Sequence, residues 1–382
     1  MAMPPVFGIN ACRARSGGAV AHVIGLVEQS APERHGFGAL HIWAFDDLLA
    51  RVPDRPWLHK HSTGRWQASV GLELFWERFL LPGEARRAGI DLLFNVDAGS
   101  VCRFRPSVTM SQDMLPFEPG EMDRYPAGKA RLRLETLRRL QAAALRHADG
   151  AIFLTRYSAE RIGQVTGPLS NMSVIPHGID QRFLNMGAAV AKESLRACLY
   201  ISNAAPYKHQ WHVVEAIQLR AEGLPLRLTL VGGGSGPAMD RLLAAVAIHD
   251  PQGAFVTLKP FVPHAEIPEL LERAEIFLFA SSCESMPVTL LEGMAAGLPI
   301  ACSERGPMPD ILQDGGTFFN PESPVSIANA VGALACNPVE SNAYAARAKA
   351  IAQSFSWQRC ADQTFDFLLS TLERSHGERI AE

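Results

Sequence analysis

The chain has no apolar run near the roughly 20 residues that cross a bilayer, so its mean hydropathy of +0.03 has to come from buried interior. Its amino end has neither a basic flank nor an apolar stretch of signal-peptide length, and the expected location is the cytoplasm. An excess of positive charge is also missing. Lys and Arg number 36 against 39 Asp and Glu, a net charge of −3, so no global field holds a nucleic acid and any anionic partner must be bound locally. The cysteines at positions 12, 102, 198, 283, 302, 336 and 360 form no CxxC pair, and no histidine cluster has zinc-ligand spacing. They read as reduced, mostly buried thiols. The pattern GxxxxGK[ST] is absent, which removes P-loop transfer from ATP. Gly232, Gly233, Gly234 and Gly236 follow an apolar run, but Pro237 stands where a GxGxxG fingerprint needs its third glycine, and a dinucleotide site is disfavoured.

The chain does have the length and apolar content for more than one core. Its 382 residues correspond to about two to three domains, and a composition of 47% hydrophobic and 20% charged residues excludes a disordered or low-complexity chain. Short apolar runs alternate with stretches of helical period, the pattern of parallel sheets covered by helices. Val6 to Ala11 reads as a buried strand, and Gly17 and Gly18 then open a helix with Val20, Ile24 and Val27 on one face. Further strands are expected at 39–43, 91–95, 108–111 and 151–155, with a long helix over about 127–148. At VIPHGID, residues 174–180, Pro176 and Gly178 stop regular structure, and little periodicity follows until about Val190. This stretch reads as an interdomain linker. The alternation then resumes, with strands at 198–201, 226–231, 255–258 and 276–280 and helices at 209–220 and 288–296. Trp76, Trp211 and Trp357 sit among apolar neighbours and read as core.

The most informative stretch is ASSCESMPVTLLEGMAAGLPIACSERGPMPD, from Ala280 to Asp310. Glu284 falls in a strand-to-helix loop, Pro287 suits a first helical turn, and Glu292 lies eight positions after Glu284, about one turn into the helix. Both carboxylates can face one crevice, and the helix start between them offers unpaired amides and a positive dipole end suited to a diphosphate. Gly17 and Gly18 let a ligand approach the backbone, or simply make a turn. Asp113, in SQDMLPF, is either a ligand contact or a turn and helix cap. His177 in the linker is either a hinge residue or a ligand contact. The long helix carries Lys129, Arg131, Arg133, Arg138, Arg139 and Arg146 against Glu135 alone. That charge suits anionic lipid headgroups or a lipid-diphosphate acceptor, or it is a solvated face with Arg131, Glu135 and Arg139 paired at spacing four.

Two glutamates eight apart, followed by AAGLPI and GPMPDIL, resemble the retaining glycosyltransferases of family 4. VIPHGID, NAAPYKHQ, LVGGG and SGG stand in the family's order, so the resemblance covers nearly the whole chain. It implies a GT-B fold, two Rossmann-like doubly wound α/β domains facing across a cleft. Residues 1–180 form the acceptor side, 181–356 bind the nucleotide sugar, and a terminal helix over about 357–382 packs back on the first domain. It further implies that Glu292 holds ribose, that Glu284 contacts the transferred sugar, and that Lys208 neutralises the diphosphate. Ser285, Met286, Pro287 and Val288 belong to the donor-binding loop, Gly17 and Gly18 lie beside the donor phosphates and the acceptor, and Asp113 contacts the acceptor or orients the sugar. Many relatives have arginine where this chain has Asn203, five positions before Lys208, so a second cation comes from elsewhere or the donor is held differently.

The implied reaction moves a sugar, with a lean toward mannose, from a GDP- or UDP-linked donor to a hydroxyl of a glycan or lipid-linked acceptor in bacterial surface polysaccharide assembly. It proceeds with retention and without a cofactor. No DxD sequence occurs, so no metal bridge to the diphosphate is expected. Contact with the inner face of the membrane through the basic helix is the accompanying reading. A nucleotide-sugar epimerase or hydrolase, and a carbohydrate-binding protein with a degenerate site, are the alternatives.

Overall fold

The computed structural model describes residues 3–15, 17–187, 197–221 and 223–381. The chain divides into two compact units, Met1–Gly178 with Ser356–Glu382 as unit 1 and Ile179–Phe355 as unit 2. Ser16 and the end of the expected linker, from 188 to about 190, lie outside the described residues.

Unit 1 is built on seven parallel strands: β1 (Val6–Asn10), β2 (Ala39–Ala44), β3 (Leu58–Ser62), β4 (Leu92–Asn95), β5 (Ser107–Ser111), β6 (Gly150–Phe153) and β7 (Met172–Val174). Their order is β3-β2-β1-β4-β5-β6-β7, with every neighbouring pair parallel. The chain winds one way from β1 to β3 and then the other way from β4, so the reversal falls between β1 and β4, where open α/β sheets bind ligands. Strands buried on both faces read as continuous apolar runs, which is why Leu92–Asn95 and Gly150–Phe153 are wholly buried. The terminal helix Trp357–Ala381 belongs to this unit, with the Phe365 ring stacked 5.0 Å from Phe37 and 4.8 Å from His35. Complete burial of a ring of that size stabilises by roughly 1.5–3 kcal/mol.

Unit 2 repeats the winding with β8 (Ala197–Ile201), β9 (Arg227–Val231), β10 (Val256–Lys259), β11 (Ile276–Phe279), β12 (Ile300–Ser303) and β13 (Thr317–Phe319), in the order β10-β9-β8-β11-β12-β13. The reversal lies between β8 and β11, which pair directly through Ile276 with Cys198 and Phe277 with Leu199. Helix ends are set locally: Ser323 caps Pro324–Cys336 through the Ser326 amide, and Asn337 caps Pro338–Ala352 through the Glu340 amide.

The expected strands and the long helix, observed at Lys129–His147, are present. In that helix Glu135 pairs with Arg138 and Arg139, whereas Arg131 reaches Asp123, so the expected Arg131–Glu135 pairing gives way to a partner in the preceding turn. Trp76 is core, while Trp357 is half-buried against unit 1 glycines. Among the described residues, no helix is long and apolar enough to cross a membrane.

His177, read from the sequence as a hinge residue or a ligand contact, is enclosed within unit 1. It is 2% exposed, its Nδ1 lies 3.2 Å from Nδ1 of the fully buried His22, and its ring is 5.8 Å from Trp357. One imidazole must donate to the other, so at least one of the two is neutral. Burial pushes His22 down to about 4 and His177 well below its ordinary value, with the neighbouring His22 adding to the latter shift. An unfolded histidine charges near pH 6.5, so below that pH the unfolded chain binds more protons and stability falls as pH drops toward 4. The loss is expected to reach about 1.4 kcal/mol per pH unit for each such histidine. Heat denaturation from pH 7 to pH 5, with the His22 ring followed by NMR, checks this. Titration of His22 in the folded chain near pH 6.5 would contradict it.

Candidate functional site

Two loops leave the carboxyl ends of β8 and β11, the strands at the reversal of unit 2. The first, residues 202–209, is held from below by the Tyr200 hydroxyl, which donates to the Lys208 carbonyl at 2.8 Å, and from the side by Gln210 Nε2, which donates to the Ser202 carbonyl at 2.8 Å. The second, residues 280–287, is tied to the first through the Ser282 amide, which donates to the Tyr207 carbonyl at 2.9 Å. Ser282 Oγ also lies 2.9 Å from Nε2 of the buried His209, whose backbone sits at a left-handed φ of 49°. A non-glycine residue in that region needs surroundings that fix it, and the His209–Ser282 contact is one of them.

Fastened in this way, the loops bring Lys208 Nζ onto Glu284 Oε1. Lys208 is 9% exposed, and its ammonium lies 5.1 Å from the Tyr207 ring centroid and 5.7 Å from that of Phe279. The aromatic faces and the carboxylate together hold a desolvated point charge in place. Glu284 is felt further in: burial pushes the Tyr200 hydroxyl well above its usual value, and the Glu284 charge pushes it further.

Glu292 lies on the helix Val288–Ala295, whose start at Pro287 has no side-chain cap. It is 1% exposed; His264 Nε2 lies 2.5 Å from its Oε1, while its Oε2 has no hydrogen-bond partner among the described residues. A buried carboxylate oxygen without a donor costs free energy that an incoming hydroxyl offsets. Ser285, Met286 and Pro287 are buried in the loop and Val288 is half-buried at the helix start. Asn203 is exposed, its carbonyl accepting from Ser202 Oγ at 2.9 Å.

The glycine-rich loop adjoins this arrangement. Gly232, Gly233, Gly234 and Gly236 all have positive φ, from 63° to 148°. The Ala204 amide donates to the Gly233 carbonyl at 2.7 Å, and a Cβ placed on Gly232 would stand 2.4 Å from the Ser202 carbonyl oxygen. These glycines therefore serve close backbone approach between the loops after β8 and β9.

The structure thus gathers Lys208 with Glu284 and sets Glu292 against a residue that the sequence reading missed, His264. That histidine follows β10, and its place just past a strand's carboxyl end was the available signal. The unit 1 candidates are placed separately. Gly17 begins the helix Gly17–Glu28 at φ 58° with nothing within 4 Å of its absent Cβ, and Gly18 follows within the first turn. Asp113 Oδ1 accepts from the Leu115 amide at 3.0 Å in the loop after β5, a turn-forming bond.

A second set missed from sequence lies past β1 and β4. Fully buried Glu77 accepts from Asn10 Nδ2 at 2.8 Å and Arg13 NH2 at 3.2 Å, Asn10 also donates to Asn95 Oδ1 at 3.0 Å, and Arg15 pairs with Glu73.

Residues 185–351 match the family described as Glycosyl transferases group 1. The matched stretch holds Lys208, His264, Glu284 and Glu292. In sequence, the chain is 26% identical over 172 residues to O-antigen chain mannosyltransferase B of Escherichia coli, covering 44% of each protein. It is 26% identical over 212 residues to a GDP-mannose-dependent alpha-(1-6)-phosphatidylinositol monomannoside mannosyltransferase of Mycolicibacterium smegmatis, covering 50% of this chain and 54% of that protein. The chain thus spans about half the length of these curated relatives. In structure, sucrose-phosphate synthase of Thermosynechococcus elongatus superposes with a TM-score of 0.75 at 16% identity, covering 98% of this chain and 100% of that one. HepE of Anabaena in complex with UDP and glucose superposes with a TM-score of 0.73 at 18% identity, covering 96% and 100%. These likenesses establish the fold as GT-B, two parallel-sheet α/β domains.

The group 1 stretch gives a direct test of its loop packing. Gly232→Ala puts a methyl group against the Ser202 carbonyl at a φ of 136°, and is expected to destabilise by more than about 1 kcal/mol. Urea denaturation checks this; an unchanged midpoint would remove the close-approach role.

Proposed function

We propose that the chain is a retaining glycosyltransferase of family 4, moving a sugar, with mannose favoured, from a nucleoside diphosphate to a hydroxyl of a glycan or lipid-linked acceptor in bacterial surface polysaccharide synthesis. One observation carries the reading: Lys208 and Glu284 meet beside an uncapped helix start, with the unsatisfied Oε2 of Glu292 one turn along that helix. Two relatives, an O-antigen chain mannosyltransferase and a GDP-mannose-dependent mannosyltransferase, support the sugar and the setting.

In this reading the diphosphate lies at the start of Val288–Ala295, where amides of the first turn and the helix dipole meet its charge. Lys208 moves its ammonium from Glu284 to the phosphate oxygens, where it stabilises the negative charge that grows as the bond from the sugar carbon breaks. Glu284, released from the lysine, accepts hydrogen bonds from sugar hydroxyls, and Glu292 Oε2 accepts from a ribose hydroxyl. The acceptor oxygen bonds to the sugar carbon on the face the diphosphate leaves, and its proton passes to a departing phosphate oxygen, so configuration is kept. The residues proposed in unit 1 are Gly17 and Gly18, beside the donor phosphates and the acceptor, and Asp113, which contacts the acceptor or orients the sugar. His264 must yield or share Glu292 as the ribose enters.

Thermal shift with GDP, UDP and their sugars is the first test. A bound nucleotide at 100 times its Kd raises stability by about 2.7 kcal/mol. The shift is expected for one base over the other, to shrink in Lys208→Ala, and to be accompanied by a loss of transfer of about 100-fold or more in Lys208→Ala and Glu284→Ala. A flat response to every nucleotide would overturn the assignment in favour of a degenerate carbohydrate-binding protein. Conversion of the donor without any acceptor would favour an epimerase or hydrolase.

Transfer is further proposed to need no divalent metal, the charge on the diphosphate being met by Lys208 and the helix start. Activity in EDTA is expected to equal that in buffer. Loss in EDTA with recovery on Mg²⁺ or Mn²⁺ would contradict this.

A further inference from the structure

One stretch of unit 1 has two faces of opposite character. An α-helical turn over Val70–Phe75 runs into a π-helical segment over Trp76–Leu80. Inward lie Trp76 and the carboxylates Glu73 and Glu77, four residues apart, which hold Arg15 and Arg13. Outward stand Val70, Leu72, Phe75 and Phe79, the two rings 50% and 63% exposed and 5.2 Å apart between centroids. Exposed Arg78 lies with its guanidinium 5.4 Å from the Phe79 ring centroid, and exposed Arg86 and Arg87 follow in the next helix. Exposed Arg103 joins this side: after burial, its charge and those of Arg105 and Arg78 hold the pKa of His147 down.

Charge is sorted across the stretch. From Arg55 to Ile90 the acidic residues are Glu73, Glu77 and Glu84. Glu84 accepts from the indole N–H groups of both Trp43 and Trp76 at 3.1 Å, so all three carboxylates already have partners, Arg15, Arg13 and the two indoles. The outer face is left with aromatic and aliphatic side chains interleaved with arginines.

We propose that this face docks on an anionic lipid surface, Phe75 and Phe79 entering the boundary between headgroups and acyl chains while Arg78 and its neighbours meet lipid phosphates. Aromatic rings set among arginines are the composition of an interface-seated helix. The face is better suited than the long basic helix Lys129–His147, whose Arg131, Arg138 and Arg139 already have carboxylate partners. Its inner carboxylates also join it to the loop after β1, so a surface bound outside bears on the residues leading to Gly17.

The test is sedimentation of the full chain with phosphatidylcholine vesicles, with and without phosphatidylglycerol. The chain is expected to pellet with the anionic vesicles and to be released by added salt, because the lysine- and arginine-type term is screened. Phe75→Ser with Phe79→Ser is expected to lower partition about tenfold at an unchanged melting temperature, whereas Arg133→Glu with Arg139→Glu on the long helix leaves most of it. A wild-type chain that stays in the supernatant with anionic vesicles overturns the proposal. So does a doubly substituted chain that pellets as well as wild type. A change from dimer to monomer on the double substitution, with no vesicle binding by wild type, also overturns it and assigns the face to a second copy of the chain.

Discussion

Unit 2 depends on the hydrogen bond that joins its two central loops, the Ser282 amide to the Tyr207 carbonyl. Lysine and glutamate are long side chains with much rotamer freedom to lose, and a partly buried pair of them forms reproducibly only where their backbones are already held. That hold is layered. The strands β8 and β11 are neighbours because the sheet reverses its winding there, the loops above them are cross-linked, and the Tyr200 hydroxyl grips the Lys208 carbonyl from beneath. The side chains that meet are the last step of a sequence of constraints that begins with strand order.

Both units use one winding pattern, yet the carboxyl ends of their central strands carry different chemistry. Unit 2 leaves a carboxylate oxygen of Glu292 unsatisfied and a helix start uncapped. In unit 1 the polar groups past β1 and β4 largely satisfy one another, Asn10 serving Glu77 and Asn95 while Arg13 and Arg15 have carboxylate partners. An unsatisfied buried polar group costs free energy that a bound partner can offset, and polar groups that bond one another help hold their own backbone in shape. The same winding thus ends in an open carboxylate oxygen in one unit and in a mutually bonded polar set in the other.

Much of this was legible in the residues. Wholly apolar strands such as Leu92–Asn95 and Ile276–Phe279 announce themselves because both their faces are buried, and Glu284 and Glu292 stood out by spacing and by their place after such a strand, whereas Lys208 was singled out by the family resemblance. Edge strands were less visible. Leu58–Ser62 reads LHKHS, with polar side chains because one side of it meets solvent, and Met172–Val174 is too short to show a period. Pairings across long sequence distances were not visible at all: His264 on Glu292 and Glu77 on Arg13 depend on which strands lie side by side. The ELFWE spacing of Glu73 and Glu77 was present in the sequence, but its meaning was not, since a carboxylate four residues from another reads as a solvated face until its partners are known.

The path of the chain between the units has a bearing on how it folds. Unit 2 starts and finishes at one spot, where the Ile179 amide donates to the Phe355 carbonyl at 3.1 Å. For unit 1 the whole of Ile179–Phe355 is an interruption between Gly178 and Ser356, and a Cβ on Gly178 would stand 2.1 Å from the Trp357 amide nitrogen, so little room exists for that junction to vary. While unit 2 is unfolded, docking the terminal helix in unit 1 means closing a loop of that entire length, with an entropy that grows as its logarithm. Once unit 2 has folded, its own ends are already adjacent and the loop shrinks to a single pinned step. Collapse of the inserted unit thereby shortens the effective loop that unit 1 has to close around it.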